Sequence, residues 1–189
     1  MSVLLVIAGP SGVGKGTIVR SLLERELRLW FSVSATDRPR RPGEVDGRDY
    51  DFISREEFER IRDAGGFLEW FEVFGDLKGT PRGPVEAHLA SGDDVLIEVD
   101  VQGALAIRAA FPEALLVFIK PPSREVLRRR LHDRDPAADT EELERRLAEA
   151  DAEESAASSF DKIVVNDDLD RAVNEIDALM EAKREGRVP

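Results

Sequence analysis

Short apolar runs separated by longer amphipathic stretches set the rhythm of this chain. Residues 3–8 (Val3-Leu4-Leu5-Val6-Ile7-Ala8), 94–99, 115–119 and 162–165 are compact hydrophobic segments. Runs of that length predict strands covered on both faces. Residues 15–27, 101–110, 123–133, 140–157 and 168–183 carry helical patterning between them. Ser123 opens one helix after Pro121-Pro122, and Asp139-Thr140-Glu141-Glu142 reads as a capping box for another. Alternating strands and helices predict an α/β fold with a parallel sheet flanked by helices. Ligand sites are then expected at the carboxyl ends of the strands. Between residues 34 and 80 the alternation breaks. A basic, turn-rich run from Arg38 to Gly47 leads to Tyr50-Asp51-Phe52-Ile53, a helix capped by Ser54, and a strand-like stretch over 67–73. This region reads as an inserted sub-domain. The alanine- and glutamate-rich stretch 148–159 reads as a helix with an exposed face, and residues 184–189 as a frayed tail.

The first apolar run feeds directly into Gly9-Pro10-Ser11-Gly12-Val13-Gly14-Lys15-Gly16-Thr17, and a helical pattern follows. Strand, glycine loop, lysine and helix in that order match the phosphate-binding P-loop pattern G-x-x-x-x-G-K, with Gly9, Gly14 and Lys15 at its fixed positions. Glycines let successive backbone N–H groups turn inward around phosphate oxygens. The positive end of the following helix points at the same anion, and Lys15 adds a point charge. Here Gly16 follows the lysine and the hydroxyl comes one residue later, at Thr17.

Composition narrows the setting. At 189 residues the chain is long enough for one ordinary domain with a substantial core. Its longest apolar runs are strand-sized, well below the ~20 residues of a membrane span, and no secretory leader pattern opens it. With no cysteine, disulfides and thiolate chemistry are excluded. His88 and His132 lack metal-ligand spacing and are expected at the surface, and the cytoplasm is the expected compartment. A net charge of −12 argues against general nucleic-acid binding. Arginines nevertheless cluster at 38, 40, 41 and 48, and again at 124, 128, 129, 130 and 134, which suggests small anions held in defined pockets.

Several further motifs stand in order along the chain: Ser-Val-Ser-Ala-Thr-x-Arg-x-x-Arg (32–41), Gly-x-x-Tyr-x-Phe (47–52), Phe-Leu-Glu-Trp (67–70), Gly-Thr (79–80), Glu-Val-Asp-Val-Gln-Gly (98–103) and Val-Asn-Asp-Asp-Leu (165–169). With the glycine loop they closely resemble guanylate kinases over almost the whole length. The resemblance implies one domain: a P-loop parallel-sheet core (1–33, 81–124 and 147–189), an inserted mixed α/β nucleoside-monophosphate-binding sub-domain (34–80) and a small helical lid (125–146). It implies ATP as phosphoryl donor, GMP and dGMP as acceptors, and Mg²⁺. The donor would lie on Gly9, Pro10, Ser11, Gly12, Val13, Gly14, Lys15, Gly16 and Thr17, with Asn166 near the adenine. Ser34, Arg38, Arg41, Tyr50, Glu69, Lys78, Thr80 and Asp100 would hold the acceptor. Lys15, Arg38, Asp100 and the lid arginines Arg130, Arg134 and Arg146 would serve catalysis, with Thr17 and Asp100 facing the metal.

Residue chemistry agrees with those implied roles. Guanine offers N1–H and an N2 amino group as donors, and an ionised Glu69 is acceptor-only, suited to take both. Adenine would turn a lone pair toward the same carboxylate. Forked guanidinium–phosphate bonds suit Arg38 and Arg41. Asp100, at a strand end, is also placed to cap the helix over 101–110. Three positions depart from the family pattern. Lys78 replaces a tyrosine, Asp37 replaces a threonine and is expected to point outward, and Asp135-Pro136 replaces Gly-Thr in the lid. Two other readings remain open: a non-enzymatic guanylate-kinase-like binding module, and a kinase for another small phosphorylated acceptor.

Overall fold

The computed structural model describes residues 1–73, 75–136 and 139–187. Phe74 of the inserted region, Ala137 and Ala138 of the expected lid, and the last two residues of the expected frayed tail lie outside them. β1 (Leu4–Ala8) is buried along its entire length and forms the middle of a five-stranded sheet. β7 (Asp94–Glu98) pairs with it on one side and β8 (Leu115–Lys120) on the other, both parallel. β2 (Leu29–Phe31) and β9 (Lys162–Val165) complete the edges, giving the parallel order β2-β7-β1-β8-β9.

The two-residue period of a strand sorts its side chains onto two helical layers. Leu5 and Ile7 join a core with Ile18 and Leu22 of α1 (Lys15–Arg25) and with Val173, Ile176 and Met180 of α7 (Leu169–Arg184). Leu4, Val6 and Ala8 face the opposite core, with Val85 of α3 (Arg82–Ser91) and with Val101, Ala104 and Ile107 of α4 (Val101–Ala110). A fully apolar run becomes a central strand because both of its faces are covered. β2 and β8 then fall on opposite sides of β1, which opens a crevice at its carboxyl end.

Residues 35–81 build a second, four-stranded sheet in the order β4-β3-β6-β5, from β3 (Ala35–Thr36), β4 (Asp51–Phe52), β5 (Phe67–Val73) and β6 (Asp76–Pro81). β6 is antiparallel to both β3 and β5, whereas β3 and β4 run parallel. α2 (Arg55–Asp63) packs Phe58 against Phe67, Leu77 and Ala35 in a small core of its own. Leu68 reaches past it into the main core, so β5 is shared between the two cores. A second small core, of Leu127, Leu131, Leu147 and Ala150, holds α5 (Arg124–Arg134) against α6 (Thr140–Ser155).

The expected caps are present. Ser54, Ser123 and Asp139 each accept a backbone N–H three residues on. α3, β2 and β6 go beyond the sequence expectations. α3 carries Gly83 and Pro84 in its first turn, where a missing N–H costs nothing, yet those residues read as a breaker. Two expectations are corrected. Asp37 does not point outward: its Oδ1 accepts the Leu77 N–H at 2.6 Å and its Oδ2 pairs with Arg55 at 3.1 Å, leaving the side chain 4% exposed. Arg184 is not part of a frayed tail, because it ends α7 bonded to Asp94 and Glu26, and backbone bonds from Gly186 and Arg187 close the helix. His88 is half-buried, stacked on Trp30 at 4.1 Å and bonded to Asp93. Among the described residues no helix is long and apolar enough to cross a membrane.

Candidate active site

The glycine loop occupies the carboxyl end of β1, and α1 begins at Lys15. Gly14 is the N-cap of that helix at φ +102°, and a Cβ there would stand 2.5 Å from Asn166 Nδ2. Only glycine fits both demands. Beneath the loop, the buried Asn166 amide donates to the Val13 carbonyl at 2.8 Å. The Arg130 guanidinium donates to the same carbonyl at 3.0 Å and to the Asn166 carbonyl at 3.1 Å. Asn166 therefore shapes the loop. Gly12 lets the loop rest on α5, since a Cβ there would meet Leu131 Cδ2 at 2.7 Å. Lys15 folds back along the loop and donates to the carbonyls of Gly9 at 2.5 Å and Pro10 at 3.2 Å. Burial pushes its ammonium pKa down, while Glu98, Glu153 and Asp100 act in the opposite direction.

In front of the loop opens a cleft of about 580 Å³. The loop residues, Thr17, Lys78, Asp100, Arg130 and Arg134 line it, together with Arg20, Glu98 and Glu153. Asp100 caps α4, accepting the Gly103 N–H at 2.7 Å through Oδ1. Arg146, on α6, donates to Ser11 Oγ at 3.0 Å. Thus Lys15, Asp100, Arg130, Arg134 and Arg146 gather at the loop from four separate elements. Arg38 stands apart, outside the lining of this cleft. Glu98 and Glu153 were absent from the expectations. Only the place of Glu98 two residues before Asp100, at the end of an apolar strand, hinted at its position.

A smaller recess adjoins the cleft, lined by Glu69, Phe71, Lys78, Val99 and Asp100. Glu69 is 7% exposed, and Thr80, its partner across the β5–β6 pair, donates its hydroxyl to Oε1 at 2.5 Å. Burial pushes the Glu69 carboxyl upward and Asp100 adds to that, against the Thr80 hydrogen bond and the Lys78 charge. Ser34 is buried just before β3. Arg38 lies over the Tyr50 ring at 4.9 Å, and Lys78 Nζ is 5.2 Å from the same ring centre. Glu44 grips Arg38 with both oxygens, at 2.5 and 2.8 Å, and accepts the Arg41 N–H at 2.8 Å. The Arg38 fork and the Arg41 amide hold its carboxyl far down, at about 2. Arg41 itself is exposed.

The family model described as guanylate kinase matches residues 1–183. This chain belongs to the guanylate kinase family. It is 51% identical to a guanylate kinase of Symbiobacterium thermophilum over 96% of this chain and 85% of that protein. A Gloeobacter violaceus guanylate kinase is 53% identical over 95% and 87% of the two chains. Among solved structures, guanylate kinase from Anaplasma phagocytophilum superposes with a TM-score of 0.78 at 34% identity, covering 96% of this chain and 86% of that one. The chain is accordingly an enzyme, a nucleotide-binding kinase with a P-loop, and the binding-module reading falls away.

Proposed function

We propose that this enzyme transfers the γ-phosphoryl group of ATP to GMP, and also to dGMP, by direct in-line displacement. The observation that carries the acceptor is the buried Glu69 carboxylate, fixed by Thr80 in a recess that opens onto the P-loop cleft. A buried acceptor-only group rewards N1–H and N2–H donors and leaves adenine unpaired, a contrast worth about 10⁴-fold or more in a site built for the hydrogen bond. Ser34 would meet O6, which Thr80 could join only by turning its hydroxyl proton away from Glu69, and Arg38, Arg41, Tyr50 and Lys78 would meet the acceptor phosphate.

On the donor side, the loop amides over 9–17 and Lys15 would hold the phosphates, with Asn166 at the adenine end. Arg130, Arg134 and Arg146 would spread positive charge around the group in transit, since phosphoryl transfer needs positioning and electrostatic support more than covalent help. Thr17 and Asp100 Oδ2, which has no hydrogen bond among the described residues, suit Mg²⁺, which is commonly held by one or two carboxylates plus substrate phosphates rather than by a protein cage. When bound, the ion supplies charge neutralisation. The division into core, acceptor-binding sub-domain (34–80) and lid (125–146) belongs to the same reading, with lid closure excluding water. So does a cytoplasmic setting.

The test is ADP release from ATP across a panel of GMP, dGMP, AMP, CMP and UMP. GMP and dGMP should dominate. AMP turned over as well as GMP would overturn the assignment of Glu69.

A further inference from the structure

Five lysines serve the whole chain, and three of them are matched by carboxylates. Lys120 pairs with Glu154 at 3.0 Å, Lys162 with Glu175 at 3.2 Å and Lys183 with Glu113 at 3.8 Å. The two that line the cleft, Lys15 and Lys78, form no ion pair among the described residues. Lys15 is absorbed by loop carbonyls. Lys78 Nζ has no hydrogen-bond acceptor among the described residues, only the face of Tyr50 at 5.2 Å. An ammonium left without a partner in a site rich in carboxylates and arginines is poised for an incoming anion.

Its place in the sheet decides which anion. Lys78 lies on β6 two residues before Thr80, so both project from the same face of the strand. Thr80 is committed to Glu69 in the acceptor recess. Lys78 lines that recess and the P-loop cleft as well, a position it shares with Val99 and Asp100 alone among the residues lining the two. Asp100 is anionic and Val99 apolar, so Lys78 is the one cation on the boundary between them. Arg38, 4.9 Å from the centre of the same Tyr50 ring, is taken up by Glu44 and does not line the cleft.

We propose that Lys78 is a catalytic residue for the transfer itself, contacting the phosphoryl group as it passes from donor to acceptor rather than only the acceptor's resting phosphate. A strongly hydrated point charge on a flexible four-carbon stem can follow a moving group, which a phenol or a guanidinium locked in a fork does less well. No proton transfer is asked of it, because the ammonium supports charge on the equatorial oxygens while the donor bond breaks and the acceptor bond forms.

This inference rests on the reading that GMP is the acceptor, and the experiment separates the two. Wild type, Lys78→Met and Lys78→Arg are compared for kcat and KM with ATP and GMP, alongside thermal melts that check folding. If wild type fails to turn over GMP, the acceptor reading fails. If wild type is active, Lys78→Met should lower kcat and kcat/KM together, by about 10²-fold, as expected for a charge used in the transition state. Lys78→Arg should recover part of that loss. A rise in KM for GMP at unchanged kcat would assign Lys78 to acceptor binding alone, and unchanged kinetics would remove it from the site. Either result overturns the proposal.

Discussion

The Thr80 hydroxyl donates to Glu69 Oε1 at 2.5 Å inside a buried pocket, tying β5 to β6 at the one carboxylate they bury between them. Thr80→Val keeps the shape but removes the donor, leaving a buried carboxylate one partner short, a change worth about 1–3 kcal/mol. A rise of about tenfold or more in KM for GMP is expected, with KM for ATP unchanged. Glu69→Gln replaces an acceptor with an amide and should collapse kcat/KM for GMP. Burial and Asp100 raise the Glu69 pKa, so folding without ligand works against the charged carboxylate relative to the unfolded chain. For a raised carboxyl the destabilisation is absent where it is protonated in both states and sets in as pH climbs above the unfolded value of 4.5. Glu69→Gln should therefore melt at a higher temperature than wild type at pH 7 to 8, with the gap closing toward pH 4. A gap that widens on acidification would contradict this account.

Glu44 presents the mirror case. Its two oxygens hold the Arg38 fork and its pKa lies at about 2, so the pair is fully formed above 4.5 and is lost only as pH falls toward 2. The pair orients Arg38 over Tyr50 and, through the Arg41 N–H, sets the turn that carries Arg41. Glu44→Ala should raise KM for GMP by about tenfold and leave kcat within a factor of about three, the signature of lost uniform binding. The acid limb of the wild-type rate profile should not move in this variant. A shifted acid limb would mean that Glu44 titrates in the working range.

Asn166 donates beneath the loop at Val13, and Asn166→Ala should cost about 1–3 kcal/mol in unfolding free energy, measured in urea. KM for ATP should rise because the Val13 carbonyl of the loop loses one of its two side-chain donors, the other being Arg130. The ratio of activities with ATP and GTP as donors separates two employments of this residue. Action through loop shape alone leaves the ratio unchanged, whereas an adenine contact makes it fall.

Most of the main sheet was legible because its three central strands, β1, β7 and β8, are buried along nearly their whole length. Residues 94–98 satisfy their apolar pattern by parallel pairing under helices, whereas 162–165, expected to be covered on both faces, form an edge strand in which only Val164 is buried. The second sheet hid better. Two of its strands are two residues long, and β6 passes through Gly79 at a point where a Cβ would stand 2.8 Å from the Glu69 carbonyl. Register across strands, not periodicity, creates that site. The same limit applied to Glu44, which as a sequence is one acid in a polar turn. Its partner is fixed by the fold of residues 38–44, so charge alone could not single it out. Asp37 was misread for the opposite reason, since a carboxylate near arginines was expected to seek water and found a backbone amide and Arg55 instead.

Leu131 resting on Gly12 has a mechanical consequence. Lifting α5 away from the loop would open a void about the size of a leucine side chain, which costs on the order of 2–5 kcal/mol, whereas rolling α5 about that contact opens none. The contact is thus a fulcrum. Arg130, one residue before Leu131 on α5, bonds the Val13 carbonyl on one side of that contact. Arg146, carried by α6 across the small leucine core, bonds Ser11 on the other side, so the two arginines clasp the loop on either side of Gly12.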